Sequence, residues 1–124
     1  MNIGVSTGCY FPRKTIDALK FVAETGAKYT EIFFNTDSEL NEEYISHLKS
    51  IADENGIKII SVHPFTSAIE TFMFWSKSDY KLEDSIKYYE KYFRACQILG
   101  AKYVVIHGFY SSAEYMSMED YTRI

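Results

Sequence analysis

Two of the three histidines in this 124-residue sequence close a run of strand-forming residues. Ile57-Lys58-Ile59-Ile60-Ser61-Val62 leads to His63 and is stopped by Pro64, while Tyr103-Val104-Val105-Ile106 leads to His107 and is stopped by Gly108. A neutral imidazole at such a position can ligate a metal or move a proton. A single histidine there is ordinarily explained by a hydrogen bond to a neighbouring loop, but two at equivalent strand ends favour a shared functional role. His47 reads differently, because helical projection places it beside Glu43 and Ser50 on a polar flank, which is solvated surface.

Glu31 lies inside a third strand-like run, between Thr30 and Ile32. A carboxylate within a strand is costly to bury unless it meets a cation or hydrogen-bond donors. It faces either the inside of a barrel or the edge of a sheet, and the alternation of one short strand does not choose between them. Aromatic residues gather at the same ends: Tyr10-Phe11 after the first strand and Phe109-Tyr110 after the fourth. The segment from residue 65 to about 79, after His63, far exceeds the usual two to six or so residues of a βα loop. Its Phe72, Phe74 and Trp75, with Tyr80, read as an apolar wall over a pocket, or as a short extra helix on a barrel rim, and the two are compatible.

The elements that must position these residues alternate strictly. Ile3-Gly4-Val5-Ser6-Thr7 is a strand, interrupted by Gly8 and Pro12; Thr15 reads as the N-cap of a helix whose face is Ile16, Leu19, Val22 and Ala23, ending at Gly26. Tyr29-Thr30-Glu31-Ile32-Phe33-Phe34 is the second strand, ending at Asn35. Leu40, Tyr44, Leu48, Ile51 and Ala52 mark the inner face of a second helix that Asn55-Gly56 stops. After the third strand, Leu82, Ile86, Tyr89, Phe93 and Cys96 define a helix ending at Gly100. Ser117, Glu119 and Tyr121 open a further helix before the last residue, Ile124. This βαβαβαβ order predicts parallel strands with right-handed crossovers, where ligands bind beyond the carboxyl ends of the strands. Gly26-Ala27-Lys28-Tyr29 recurs as Gly100-Ala101-Lys102-Tyr103, an αβ turn used twice rather than a phosphate loop.

Composition narrows the classes. Hydrophobic residues at 47% and charged residues at 24%, with Gly 6 and Pro 2, describe a globular chain rather than a disordered or collagen-like one. A net charge of −4 and the lack of any Lys/Arg block disfavour nucleic acid as partner. No stretch approaches the ~18 apolar residues of a membrane helix, and no basic leader follows Met1, so the expectation is a cytoplasmic protein with no membrane partner. Cys9 and Cys96 lack CxxC spacing and are expected to be reduced, Cys96 as core filler. The dinucleotide, P-loop, nucleophile-elbow and HExxH motifs are missing.

The runs Ile3-Gly4-Val5-Ser6-Thr7, Gly26-Ala27-Lys28-Tyr29-Thr30-Glu31-Ile32-Phe33, Ile59-Ile60-Ser61-Val62-His63 and Leu99-Gly100-Ala101-Lys102-Tyr103-Val104-Val105-Ile106-His107-Gly108 together resemble the first half of the xylose isomerase-like TIM barrels. That superfamily includes sugar phosphate isomerases/epimerases and the endonuclease IV group. The resemblance implies a divalent metal, Mn, Mg or Zn, at the carboxyl end of a barrel, with His63 and His107 in the positions of metal-ligating histidines of the endonuclease IV branch. It implies proton abstraction beside a carbonyl on a sugar or sugar phosphate, with a catalytic base and further ligands from strands five to eight, outside this chain. Tyr10, Glu31, Trp75 and Phe109 are then expected to line the substrate pocket, and the catalytic residues stay unassigned.

The expectation is an α/β fold, parallel (βα) repeats forming the N-terminal half of a (β/α)8 TIM barrel, because 124 residues are half of the ~250 a closed barrel needs. Residues 1–124 then form one partial domain of about four βα units, inactive alone. Three readings follow: part of a metal-dependent sugar phosphate isomerase/epimerase, an endonuclease IV-like metal-dependent phosphodiesterase, or a noncatalytic half-barrel assembling with itself or a partner chain. If the chain is this short, its open edges predict self-association.

Overall fold

The computed structural model describes residues 3–76 and 78–108. Four strands, β1 (Gly4–Ser6), β2 (Tyr29–Phe33), β3 (Lys58–His63) and β4 (Tyr103–Val104), form one sheet in the order β1-β2-β3-β4, every neighbouring pair parallel. The helices α1 (Thr15–Glu24), α2 (Glu42–Glu54), α3 (Glu70–Phe74) and α4 (Asp79–Leu99) connect them, together with 3-10 turns at Thr7–Tyr10, Asp37–Glu39 and Phe65–Ile69. Sequential strands lying side by side, each crossover carrying a helix, is the arrangement that alternation predicts. Gly100 ends α4 at φ 68°, and Gly26 and Gly56 do the same after α1 and α2, where an L side chain would be strained.

The core lies between the sheet and its helices. Ile32, Phe34, Ile59 and Val62 meet Leu19 and Val22 of α1, Ile45 and Leu48 of α2, and Tyr89, Tyr92 and Leu99 of α4. The opposite face of β2 carries Tyr29, Glu31 and Phe33, each half-buried. In β3 the alternation breaks: Thr30 pairs with Ile59 but Glu31 pairs with Ser61, leaving Ile60 as an extra residue. That bulge turns Ser61 and His63 onto the face that carries Glu31 and Phe33.

Three local expectations are corrected. Thr15 is the first residue of α1 and fully buried, not its cap; Lys14 holds the cap position without a side-chain bond, and the carboxylate of Glu39 accepts the Thr15 N–H at 3.0 Å instead. Asn41 caps α2 by accepting the Tyr44 N–H. On α4 the buried stripe is Ser85, Tyr89, Tyr92, Ala95 and Leu99, while Ile86 and Phe93 lie exposed at 47% and 43%. The apolar surface of α4 is wider than one stripe, and its side nearest α2 and the sheet wins the core. The fourth strand is shorter than expected, since ladder pairing covers only Tyr103 and Val104, although the Val105 N–H still donates to Val62. The helix expected around Ser117, Glu119 and Tyr121 lies outside the described residues.

Candidate functional site

His63 and His107 meet where β3 and the continuation of β4 end. Their ring centroids are 4.8 Å apart at 62°, edge to face, and Phe33 at the end of β2 lies 4.6 Å from His63 on the other side. Pro64 O, which can only accept, lies 3.1 Å from His63 Nδ1, a contact that suits the tautomer with its proton on Nδ1.

His107 leans on a carboxylate. Its backbone N–H donates to Glu70 Oε2, and its buried Nδ1 lies 3.4 Å from the same oxygen, with no closer polar partner among the described residues. Glu70 is completely buried on α3. Its Oε1 accepts the Tyr89 hydroxyl, which is also 2.9 Å from Thr66 Oγ1. Burial first, and then the bond to Glu70, push the Tyr89 hydroxyl well above the ordinary phenol range, so it stays protonated and donates.

One layer towards the amino ends of the strands, Glu31 points to the face opposite the helices. Ser6 Oγ donates to its Oε1 at 2.9 Å and Ser61 Oγ to its Oε2 at 3.1 Å, so β1, β2 and β3 each contribute one group to the row. A cavity of about 530 Å³ opens over it, lined by Ser6, Glu31, Ile60 and Ser61 among others. The barrel-interior alternative for Glu31 is thus the one adopted, and a carboxylate held by two hydroxyls retains acceptor capacity for a ligand hydroxyl.

The other expected pocket residues are not gathered here. Tyr10 stacks on Phe21 of α1 at 5.5 Å, and Trp75 stands edge-on to Phe74 in a separate apolar cavity of about 270 Å³ with Leu82, Ile86, Phe93 and Ile106. Phe72 and Tyr80, at 71% and 69% exposed, stand apart from that cavity; the segment builds a 3-10 turn and α3, which packs on α4 through Phe74 and Tyr89, 4.6 Å apart. Phe109 lies outside the described residues. Asn35 is spent on structure, its N–H donating to Glu39 and its amide to Thr15 and to the carbonyl of Arg13. His47 is exposed, as its polar flank predicts.

Sequence reasoning passed over Glu70, Ser6 and Ser61. Glu70 had a signal, being the one charged residue between His63 and Lys77 in an otherwise apolar and hydroxyl-bearing segment. Among the described residues no three His, Cys, Asp or Glu side chains converge to hold a metal. His63 and His107 fit such an ion in part: with both Nδ1 atoms beside oxygens, two Nε2 donors stay available.

A parallel sheet with its helices on one face and its chemistry-bearing side chains at the carboxyl ends of the strands is the amino-terminal half of a (β/α)8 barrel. The chain belongs to the xylose isomerase-like TIM barrel family, whose model matches residues 19–124. It is similar in fold to D-psicose 3-epimerase, solved in the presence of D-fructose, with a TM-score of 0.72 and 15% identity over 99% of this chain and 44% of that one. The chain thus spans less than half the length of this structural relative. No curated protein matches the sequence. No helix among the described residues is long and apolar enough to cross a membrane.

Proposed function

We propose that this chain forms the amino-terminal half of a sugar isomerase or epimerase site, in which the row Ser6, Glu31 and Ser61 holds sugar hydroxyls and His63 and His107 face the reacting end of the substrate. The observation that carries this reading is the stacking of two polar layers on one sheet face: two imidazoles 4.8 Å apart above a carboxylate held by two serines. A sugar presents many hydroxyl donors at short spacing, which is what a half-buried carboxylate flanked by hydroxyls can bind. The fold neighbour that acts on D-psicose supports a ketose as the substrate class.

The reaction proposed is proton abstraction beside the carbonyl carbon and return of a proton, by a base that the described residues do not supply. A divalent cation, Mn, Mg or Zn, would be held by His63 and His107 through Nε2 with further donors beyond the described residues, and when bound would polarise the substrate oxygens. Glu31, Ser6 and Ser61 orient the sugar below, and the Phe33 ring beside His63 keeps that side of the site apolar.

The test is a titration of the isotope-labelled chain with D-fructose, read in amide and imidazole resonances. Saturable shifts at Ser6, Glu31, Ser61 and His63 are expected, and Glu31→Ala should weaken them at least about tenfold, the worth of a hydrogen bond to a charged group. Shifts absent from this row, or untouched by Glu31→Ala, overturn the reading.

A further inference from the structure

We propose that Glu70 is the positioning residue for His107, fixing its tautomer and ring plane so that Nε2 is offered to the site. This deepens the reading above, because it says how one of the two imidazoles is held in its working state.

An ionised carboxylate with no exposed surface costs several kcal/mol unless donors surround it. Glu70 has no exposure and is placed by a helix of only five residues, yet it reaches two further parts of the fold. Through Oε1 it accepts the Tyr89 hydroxyl from α4, and through Oε2 it accepts the His107 N–H beyond β4. Two donors would satisfy a merely structural anchor. The placement of Nδ1 at 3.4 Å from Oε2 goes further, because that buried nitrogen has no hydrogen-bond partner among the described residues and this carboxylate oxygen is the acceptor beside it. An acceptor oxygen there favours Nδ1–H and disfavours a lone pair at Nδ1, which offers Nε2 to the site. His63 reaches the same tautomer by another route, the Pro64 carbonyl. Two unrelated acceptors therefore prepare two adjacent imidazoles alike.

The chain supplies an internal control: His63 does not touch Glu70 in any of its polar contacts given above. Long-range 15N–1H spectra of the histidine side chains, at a pH about two units above the ordinary histidine pKa of ~6.5, report each tautomer directly. In the native chain both His63 and His107 should carry Nδ1–H. In Glu70→Gln the side-chain oxygen can still accept the backbone N–H, but the amide can turn a donor towards Nδ1, so His107 should shift to Nε2–H or to a mixture while His63 is unchanged. Glu70→Asp, which keeps the charge, should restore part of the native tautomer. Zn2+ affinity should fall about 10- to 100-fold in Glu70→Gln, the usual effect of removing an outer partner of a ligating histidine.

A native His107 with Nε2–H rejects the proposal, and that measurement needs no variant to fold. An unchanged His107 tautomer in folded Glu70→Gln rejects it as well. Because the tautomer is read without sugar or metal, failure of D-fructose to bind while the tautomers behave as expected rejects the functional reading and leaves the role of Glu70 standing.

Discussion

Glu39 shows what a single buried carboxylate does for this fold. It accepts the Thr15 N–H at 3.0 Å, the Thr15 hydroxyl at 2.7 Å, the Tyr44 hydroxyl at 2.9 Å and the Asn35 N–H at 2.8 Å, and so ties the start of α1 to α2 and to the end of β2. Burial alone would raise its carboxyl, but the donors of Asn35, Thr15 and Tyr44 outweigh burial and hold it below the ordinary value. A depressed carboxyl contributes stability that is present above the unfolded pKa of ~4.3 and is lost as pH falls through the lower folded value. Urea unfolding at neutral pH should therefore show Glu39→Gln destabilised by about 1–3 kcal/mol, a gap that narrows as the native chain is acidified below about pH 4. A gap that is constant over that range would assign the loss to packing instead. Asp37 is also lowered, chiefly by its bond to Lys91, but its side chain is 57% exposed and adds little. At this scale the sequence was half legible. His63 and His107 stand out because strand ends are marked by Pro64 and Gly108, whereas the roles of Glu39 and Glu70 do not, because what makes each tolerable is donors arriving from residues as far away as Thr15 or His107.

The bulge in β3 decides which way the third strand points its chemistry. Counting alternately back from His63 puts Ser61 and Ile59 on its face, yet Ile59 is buried at 3% in the helical core while Ser61 binds Glu31 on the other side. Ile60 absorbs the difference, and pairing beyond it is regular, Ile32 with Val62 and Phe33 with His63. A chain lacking Ile60 should thus keep both ends of β3 in their present orientation, joining Thr30–Ile59 directly to Glu31–Ser61. The expected cost is about 1–3 kcal/mol, from the half-buried side chain and the Lys102 N–H that Ile60 O accepts at 3.0 Å. Ring contacts between His63 and Phe33 in nuclear Overhauser spectra would persist in that variant; their loss would mean that the bulge holds the strand's twist and not merely its count. The elements themselves were legible from Gly26, Gly56 and Gly100 and from the β-rich runs between helices. The bulge was not, since no residue type in Ile59-Ile60-Ser61 marks it. Nor was the inward face of α4, whose tyrosines, with Ile86 and Phe93, offer two neighbouring apolar stripes.

Across the whole molecule, that second stripe becomes a surface. Ile86 and Phe93 of α4, with Ile106 beyond β4, are 47%, 43% and 49% exposed and border the apolar cavity that also contains Trp75. Beside them, β4 pairs with β3 alone among the described residues, and at the far side of the sheet β1 pairs with β2 alone. Apolar area left in water costs roughly 25 cal/mol per Å², and an unpaired strand edge invites another strand. Within a longer polypeptide the following βα units would cover both features. For the 124-residue chain by itself a second copy would be a complementary cover, because β4 of one protomer against β1 of its partner, repeated by a two-fold axis, would satisfy both edges at once and stop at two. Sedimentation velocity should accordingly find a dimer that Phe93→Lys or Ile86→Lys shifts towards monomer without loss of helical circular dichroism. A native chain sedimenting as a stable 14.4 kDa monomer would reject this. A mass growing without limit would mean that the edges pair in open succession rather than closing a ring. Such a dimer would also bear on the site: closing eight strands would put two copies of the His63–His107 pair around one carboxyl-end mouth. D-fructose binding that rises with dimer fraction would then mark the assembled barrel, rather than the half, as the unit that holds the sugar.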